Sequence, residues 1–213
     1  MKFILLLIIF TTNLFSQFFT IARIQYGGGG DWYSDPSSLP NLLAFVNSNT
    51  PIKTMQKEIK IKLTDNNANH YPYYYLTGHG NIKFTNNEII SLREILSNGG
   101  FLHADDNYGM DKSFRREMNR VFPEKDWVEL PFDHEIFNSF YEFPNGLPKI
   151  HEHDGKPPQG LGLFNEDRLI VFYTYESDLG DGWENIEIHK NPQFIREAAL
   201  KMGINIIWFA LTQ

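Results

Sequence analysis

The sequence predicts an α/β protein built on a mostly parallel sheet, and two stretches with the spacing between them predict it. Tyr73-Tyr74-Tyr75-Leu76-Thr77 is made of residues that suit a pleated, buried surface, and it ends in Gly78-His79-Gly80. Gly99-Gly100 opens the run Phe101-Leu102-His103-Ala104, which leads into Asp105-Asp106-Asn107. Between the two, Thr85 and Glu88 form an S/T-x-x-E capping box, and Ile89, Leu92 and Leu96 share one helical face. Gly99 stands where a helix C-terminal glycine belongs. Strand, helix, strand in this order is a βαβ unit, whose strands lie parallel with a right-handed crossover. Open sheets of this kind bind ligands beyond the carboxyl ends of their strands, so residues 78–80 and 105–107 mark the expected site.

From the start, Met1-Lys2-Phe3 and the apolar residues 4–10 read as a secretory signal peptide over residues 1–16, with Ser16 as the small residue at the cleavage point. The run is too short for a stable membrane span. Residues 17–213 suffice for a single domain with one substantial core. The chain has no cysteine, which excludes disulfides, a lipoprotein anchor, thiolate chemistry and cysteine zinc sites. Its formal net charge is −7, and loss of Lys2 with the signal leaves 18 basic against 26 acidic residues. Nucleic acid is therefore not an expected partner. The one basic cluster, Lys112, Arg115, Arg116 and Arg120, reads as the solvated face of a helix whose apolar side is Phe114, Met118, Val121 and Phe122.

Residues 19–26 alternate like a strand and stop at four glycines, 27–30. Trp32 stands where G-x-G-x-x-G needs its last glycine, so this is a turn rather than a phosphate cradle. Pro40 sits near the start of a helix carrying Leu42, Leu43, Phe45 and Val46, which Asn49-Thr50-Pro51 ends. Residues 57–63 suit an edge strand. Residues 113–122 form the next helix, stopped by Pro123, and 127–130 a short strand. Residues 131–158 make an irregular insert of the length expected for a lid or binding loop. Residues 161–164 and 169–175 form a hairpin, followed by a third polar loop at 178–184. Asn191 and Pro192 are the expected N-cap and first position of a last helix, with Ile195, Ala199, Met202 and Ile206 on one stripe.

The candidate catalytic residues are Asp105, Asp106 and His79. Neighbours on a strand point to opposite faces, so one aspartate faces the crevice and the other caps the following structure unless the turn begins between them. His79, held near the surface by its flanking glycines, is expected to face a ligand, whereas His103 reads as a satisfied core histidine. Gly78, Gly80, Asn107, Asp178, Asp181 and Trp183 are candidate ligand-binding residues. Asp178 and Asp181 suit a cation or sugar hydroxyls, although their spacing fails the EF-hand pattern. His151 and His153, two apart, put both imidazoles on one face of an extended segment. They form a metal-ligand pair without a placed third ligand, and a solvated loop is the plainer reading. No G-x-S-x-G motif is present.

Asp31-Trp32, Leu39-Pro40-Asn41-Leu42, Leu76-Thr77-Gly78-His79-Gly80, Gly99-Gly100-Phe101-Leu102 with Asp105-Asp106, Ser113-Phe114-Arg115, Asp178-Leu179-Gly180-Asp181-Gly182-Trp183 and Lys201-Met202-Gly203-Ile204-Asn205 occur in this order. In these motifs the chain resembles the bacterial domain-of-unknown-function family 4159 over essentially the whole mature sequence. The resemblance implies a three-layer fold similar to class I glutamine amidotransferases, a flavodoxin-like sheet flanked by helices, and no established activity. It also implies that Asp105 falls at the elbow where that fold carries its nucleophile, with residues 78–80 at the oxyanion position. Without a cysteine, glutamine hydrolysis is not expected. Two functions are expected instead. One is an exported protein binding a small polar, carbohydrate-like molecule, or a cell-envelope protein, in a crevice of Trp32, Tyr33, Tyr108, Tyr141 and Trp183. The other is an Asp/His-dependent hydrolase, with a divalent metal as the cofactor its residues admit.

Overall fold

A computed structural model describes residues 18–153 and 155–213; the expected signal peptide lies outside the described residues. The strands are β1 (Ala22–Ile24), β2 (Ile59–Ile61), β3 (Tyr73–Leu76), β4 (Phe101–Asp105), β5 (Val128–Glu129), β6 (Gln159–Asn165) and β7 (Arg168–Tyr175). They form one sheet in the order β2-β1-β3-β4-β7-β6-β5. The first five in that order run parallel, and β6 and β5 extend the sheet antiparallel. The parallel part repeats the flavodoxin-like order 2-1-3-4-5, with β7 in the last place.

Helices cover both faces. On one side lie α2 (Asn86–Ser97) and α3 (Asp111–Val121). On the other lie α1 (Ser38–Asn49), the short α5 (Leu179–Trp183) and α7 (Gln193–Thr212). Two further single turns, α4 (Glu135–Asn138) and α6 (Ile186–His189), sit in the connections. Side chains of β3 explain the sandwich: Tyr74 and Leu76 pack toward α2 and α3, and Tyr73 and Tyr75 toward α1 and α7. A strand buried on both faces reads as continuously apolar or aromatic, as β3 and β7 do.

The central βαβ unit forms as its local signals dictate. Thr85 and Glu88 exchange the two capping-box hydrogen bonds, and Gly99, at φ 113°, lets the chain leave α2 and enter β4. Lys60 and its neighbours in β2 lie at the sheet edge, and β5 takes the other edge.

Two expectations are corrected. Helix α7 begins at Gln193 with Pro192, ψ 147°, as N-cap, one residue later than expected. Residues 179–183 are not loop but the helical turn α5. The insert 131–158 is packed over part of its length, burying Ile136, Phe137, Leu147 and Ile150 against the α1–α7 side. The basic face of α3 lies at the surface as expected, with Lys112, Arg116 and Arg120 exposed, and Arg116 and Arg120 both pair with the buried Glu117, at 2.9 and 2.5 Å. Arg115 lies 5.4–5.7 Å over the rings of Trp127, Tyr173 and Tyr175.

Candidate functional site

The flavodoxin-like order places a crevice between β1 and β3, where connections leave in opposite directions. Here the two glycine loops close that crevice on each other. The Gly30 amide donates to the Asn81 carbonyl, Asp31 N–H to the His79 carbonyl and Lys83 N–H to the Gly27 carbonyl. A side chain at Gly78 would collide with the Tyr26 hydroxyl and approach the Asp31 carbonyl within 2.9 Å. Gly78 therefore serves the contact of loop on loop, whereas a Cβ at Gly80 would meet only Gly30 Cα at 4.0 Å, and its φ of 83° is what favours glycine there. His79 is drawn into the same contact: its backbone N–H donates to Asp31 Oδ1, and its Nδ1 lies 3.1 Å from Asp31 Oδ2.

The polar groups converge one step further along the sheet, beyond β4 and β7. Asp105 and Asp106 point to opposite sides, as the pleat requires. The expectation of Asp105 at an open elbow is corrected, because its carboxylate is fully enclosed. Oδ1 accepts from Thr174 Oγ1 (2.6 Å) and Leu179 N–H (3.1 Å), and Oδ2 from Gly180 N–H (2.6 Å) and Tyr75 Oη (3.2 Å). Asp105 thus caps α5, which explains why so glycine-rich a segment is helical: the first amides of the turn find their acceptor on β4. Burial and the charge of Asp178 push its pKa up to about 7, against the hydrogen bonds from Thr174, Gly180 and Leu179.

Behind Asp105 runs a buried relay. Thr174 donates to Asp105, so it accepts from His103 Nε2–H at 3.2 Å; His103 Nδ1 then accepts from Tyr73 Oη at 3.0 Å. His103 is the core histidine expected, and burial lowers its pKa to about 3.

Asp106 faces the other way. Its Oδ1 accepts from Tyr173 Oη (2.9 Å) and its Oδ2 from the Glu176 N–H (2.8 Å), while His153 Nδ1 lies 3.8 Å from Oδ2. On its far side the same imidazole meets Asp178, with Nε2 3.0 Å from Oδ2. Burial lowers the His153 pKa, but the hydrogen bonds and charges of Asp106 and Asp178 outweigh it and push the value up to about 10. His151 Nδ1 stands 3.5 Å from Asp178 Oδ2 and 3.1 Å from Asp181 Oδ2, and His189 Nε2 is 3.1 Å from Asp181 Oδ1. Burial and the charges of Asp178, Asp35 and Asp105 push Asp181 up to about 9. Asn107 donates to Asp35 Oδ2 at 2.9 Å and is fully buried. Three carboxylate residues of this group, Asp35, Glu176 and Asp178, hold φ of 53–59°, a conformation that L side chains seldom adopt and that often accompanies function.

The structure thus gathers Asp105, Asp106, Asn107, Asp178, Asp181, His151 and His153, and leaves His79 with Asp31. Trp183, expected to bind ligand, is corrected to a core residue. Its ring is fully buried beside Tyr75 and His103, and its Nε1–H donates to the Ala199 carbonyl at 2.8 Å. Asp35, Glu176 and His189 were missed. Ser34-Asp35-Pro36 and Glu176 at the end of β7 carry a turn signal and a strand-end position; nothing local marks His189.

Beside this group a cavity of about 360 Å³ is lined by Asp106, Tyr108, Asp111, Lys112, His153 and Glu176, among others. A larger cavity of about 640 Å³ lies at the opposite edge, around Pro72 and Gly100, which precede β3 and β4. None of the His, Asp and Glu groups that could hold a metal ion lies there among the described residues.

A flavodoxin-like sheet with an acid–imidazole cluster beyond its last two parallel strands is the class that fold and site define. Residues 20–211 match the family model described as Domain of unknown function (DUF4159), and the chain belongs to that family. No curated protein matches the chain.

Proposed function

We propose that the chain is an exported protein that binds a small polar ligand of carbohydrate type in the cleft beyond β4 and β7. The observation that carries this is the 360 Å³ cavity, whose size suits a small ligand and whose walls mix acceptors, donors and the rings of Tyr108 and Tyr175. Asp106 and Glu176 supply carboxylates for hydroxyl donors, Lys112 an ammonium, and Tyr108, 61% exposed, an open ring face. Export rests on the basic start and apolar run of residues 1–16. No described helix is long and apolar enough to cross a membrane. Protein recovered from its native host should begin after residue 16, and an intact Met1 contradicts export.

The binding test is thermal unfolding against glucose, N-acetylglucosamine and galacturonate. A ligand at a hundredfold excess over Kd adds about 2.7 kcal/mol of stability. At least one sugar should raise Tm, and Tyr108→Ala should lose that shift while its own Tm stays within the change expected of about 0.5 kcal/mol at an exposed site. No shift from any of the three, or a shift that survives in Tyr108→Ala, contradicts the reading.

A second reading, an Asp/His-dependent hydrolase, is favoured by the imidazole of His153 held between Asp106 and Asp178. With no metal bound, the pKa of about 10 makes His153 an imidazolium around neutrality, a donor rather than a base. Hydrolysis of chromogenic glycosides or phosphate esters by the parent and not by Asp106→Asn selects this reading.

A further inference from the structure

We propose that His151, His153 and Asp178 form a site for one divalent transition-metal ion, of the zinc, cobalt or manganese kind. The inference stands on these side chains and does not need the sugar reading. Their ligand atoms all lie within 4.8 Å of one another. Asp178 Oδ2 is 3.0 Å from His153 Nε2 and 3.5 Å from His151 Nδ1. Ligands at about 2.0–2.1 Å from a tetrahedral ion stand roughly 3.3–3.4 Å apart, so a small adjustment of either imidazole admits an ion at their centre.

A second observation points the same way. Asp178 is 2% exposed, it turns its carboxylate into the cluster, and its Oδ1 is enclosed with no hydrogen-bond donor among the described residues. A buried carboxylate oxygen left without a donor is costly, and an ion replaces the missing partner. The outer layer fits as well. Asp106 stands behind His153 on the Nδ1 side and is itself fixed by Tyr173 and the Glu176 amide. A carboxylate in that place orients a ligating imidazole. His151, whose side chain is 57% exposed, leaves the site open to solvent and to the adjoining cleft. Two imidazoles with a single carboxylate favour zinc and its neighbours over magnesium or calcium, which prefer oxygen ligands alone.

The competing account is a purely ionic cluster in which two charged imidazoles neutralise Asp178. The two differ in what the folded chain retains. Untagged protein is stripped with chelator, dialysed, titrated with Co²⁺ and Zn²⁺, gel-filtered and assayed for bound metal, with Co²⁺ visible absorption reporting the ligand set. The parent should retain one ion per chain. His151→Ala, at an exposed side chain and therefore folded, should weaken affinity by at least about tenfold, and Asp178→Asn by as much. His70→Ala, outside the cluster, should bind like the parent. A folded parent that retains neither ion, or an affinity unchanged in His151→Ala, overturns the site. Sugar-induced shifts are measured on the stripped protein as well, so loss of the metal site and loss of the ligand reading remain separate results.

Discussion

Asp105 is the residue on which the site's geometry turns, because four donors from three segments end on its two oxygens. Asp105→Asn preserves shape but presents an amide N–H to one pair of these donors, whichever way the group is turned. Leaving buried donors without an acceptor costs about 1–3 kcal/mol, and each kcal/mol lowers Tm by roughly 2–4 °C in a chain of this size. A parent-like Tm would show that the carboxylate is not held in this way. The neighbouring His103 gives a pH signature. Its pKa is about 3 in the folded chain and near 6.5 unfolded, so between those values the unfolded chain binds more protons. His103 therefore makes stability fall as pH drops from 6.5 toward 3, by up to about 1.4 kcal/mol per pH unit. Denaturant titrations across that range should show a shallower slope in His103→Gln, and equal slopes would contradict the neutral buried imidazole. Much at this scale was legible: the opposed aspartates follow from the pleat, and the core role of His103 from its place inside a strand. Which aspartate caps was not, since the amides that settle it lie more than seventy residues away. His189 was illegible for the same reason: only the tertiary fold brings it to Asp181.

At the scale of elements, α5 shows why glycine in a helix need not mean a loop. Gly180 faces Asp105, Tyr75 and Asp35, and a methyl group at Gly182 would overlap Ala199 of α7. The two glycines let the turn lie close enough for Asp105 to reach its amides and for Asp178 and Asp181 to face the histidines of the insert. Gly182→Ala should cost about 1–3 kcal/mol by overpacking, despite the higher helix propensity of alanine. Chemical denaturation checks it, and a gain in stability would mean that α5 packs less tightly. By contrast, β3, α2 and β4 were readable because every signal is local: a capping box, an apolar stripe and a terminal glycine. Pro192 misled by one residue because its fixed φ suits both an N-cap and a first helical position. The insert was recognised as an insert, but its packing against α7 depends on partners far along the chain.

For the whole molecule, the strand order places one ligand crevice between β1 and β3, and the chain fills it with its own two glycine loops. The polar groups have moved to the ends of β4 and β7, where the antiparallel hairpin β6–β7 and the insert wall them in. That displacement was not legible, because the glycines at 27–30 and 78–80 look the same whether they cradle a ligand or each other. Among the cavities, the one beyond β4 and β7 is set against the 640 Å³ one at the opposite edge of the sheet. Hydrogen–deuterium exchange with and without the sugar that most raises Tm decides between them. The carboxyl-edge site predicts added protection at residues 106–112 and 175–178. Protection instead at residues 65–72 and 91–100, around the opposite cavity, would contradict it.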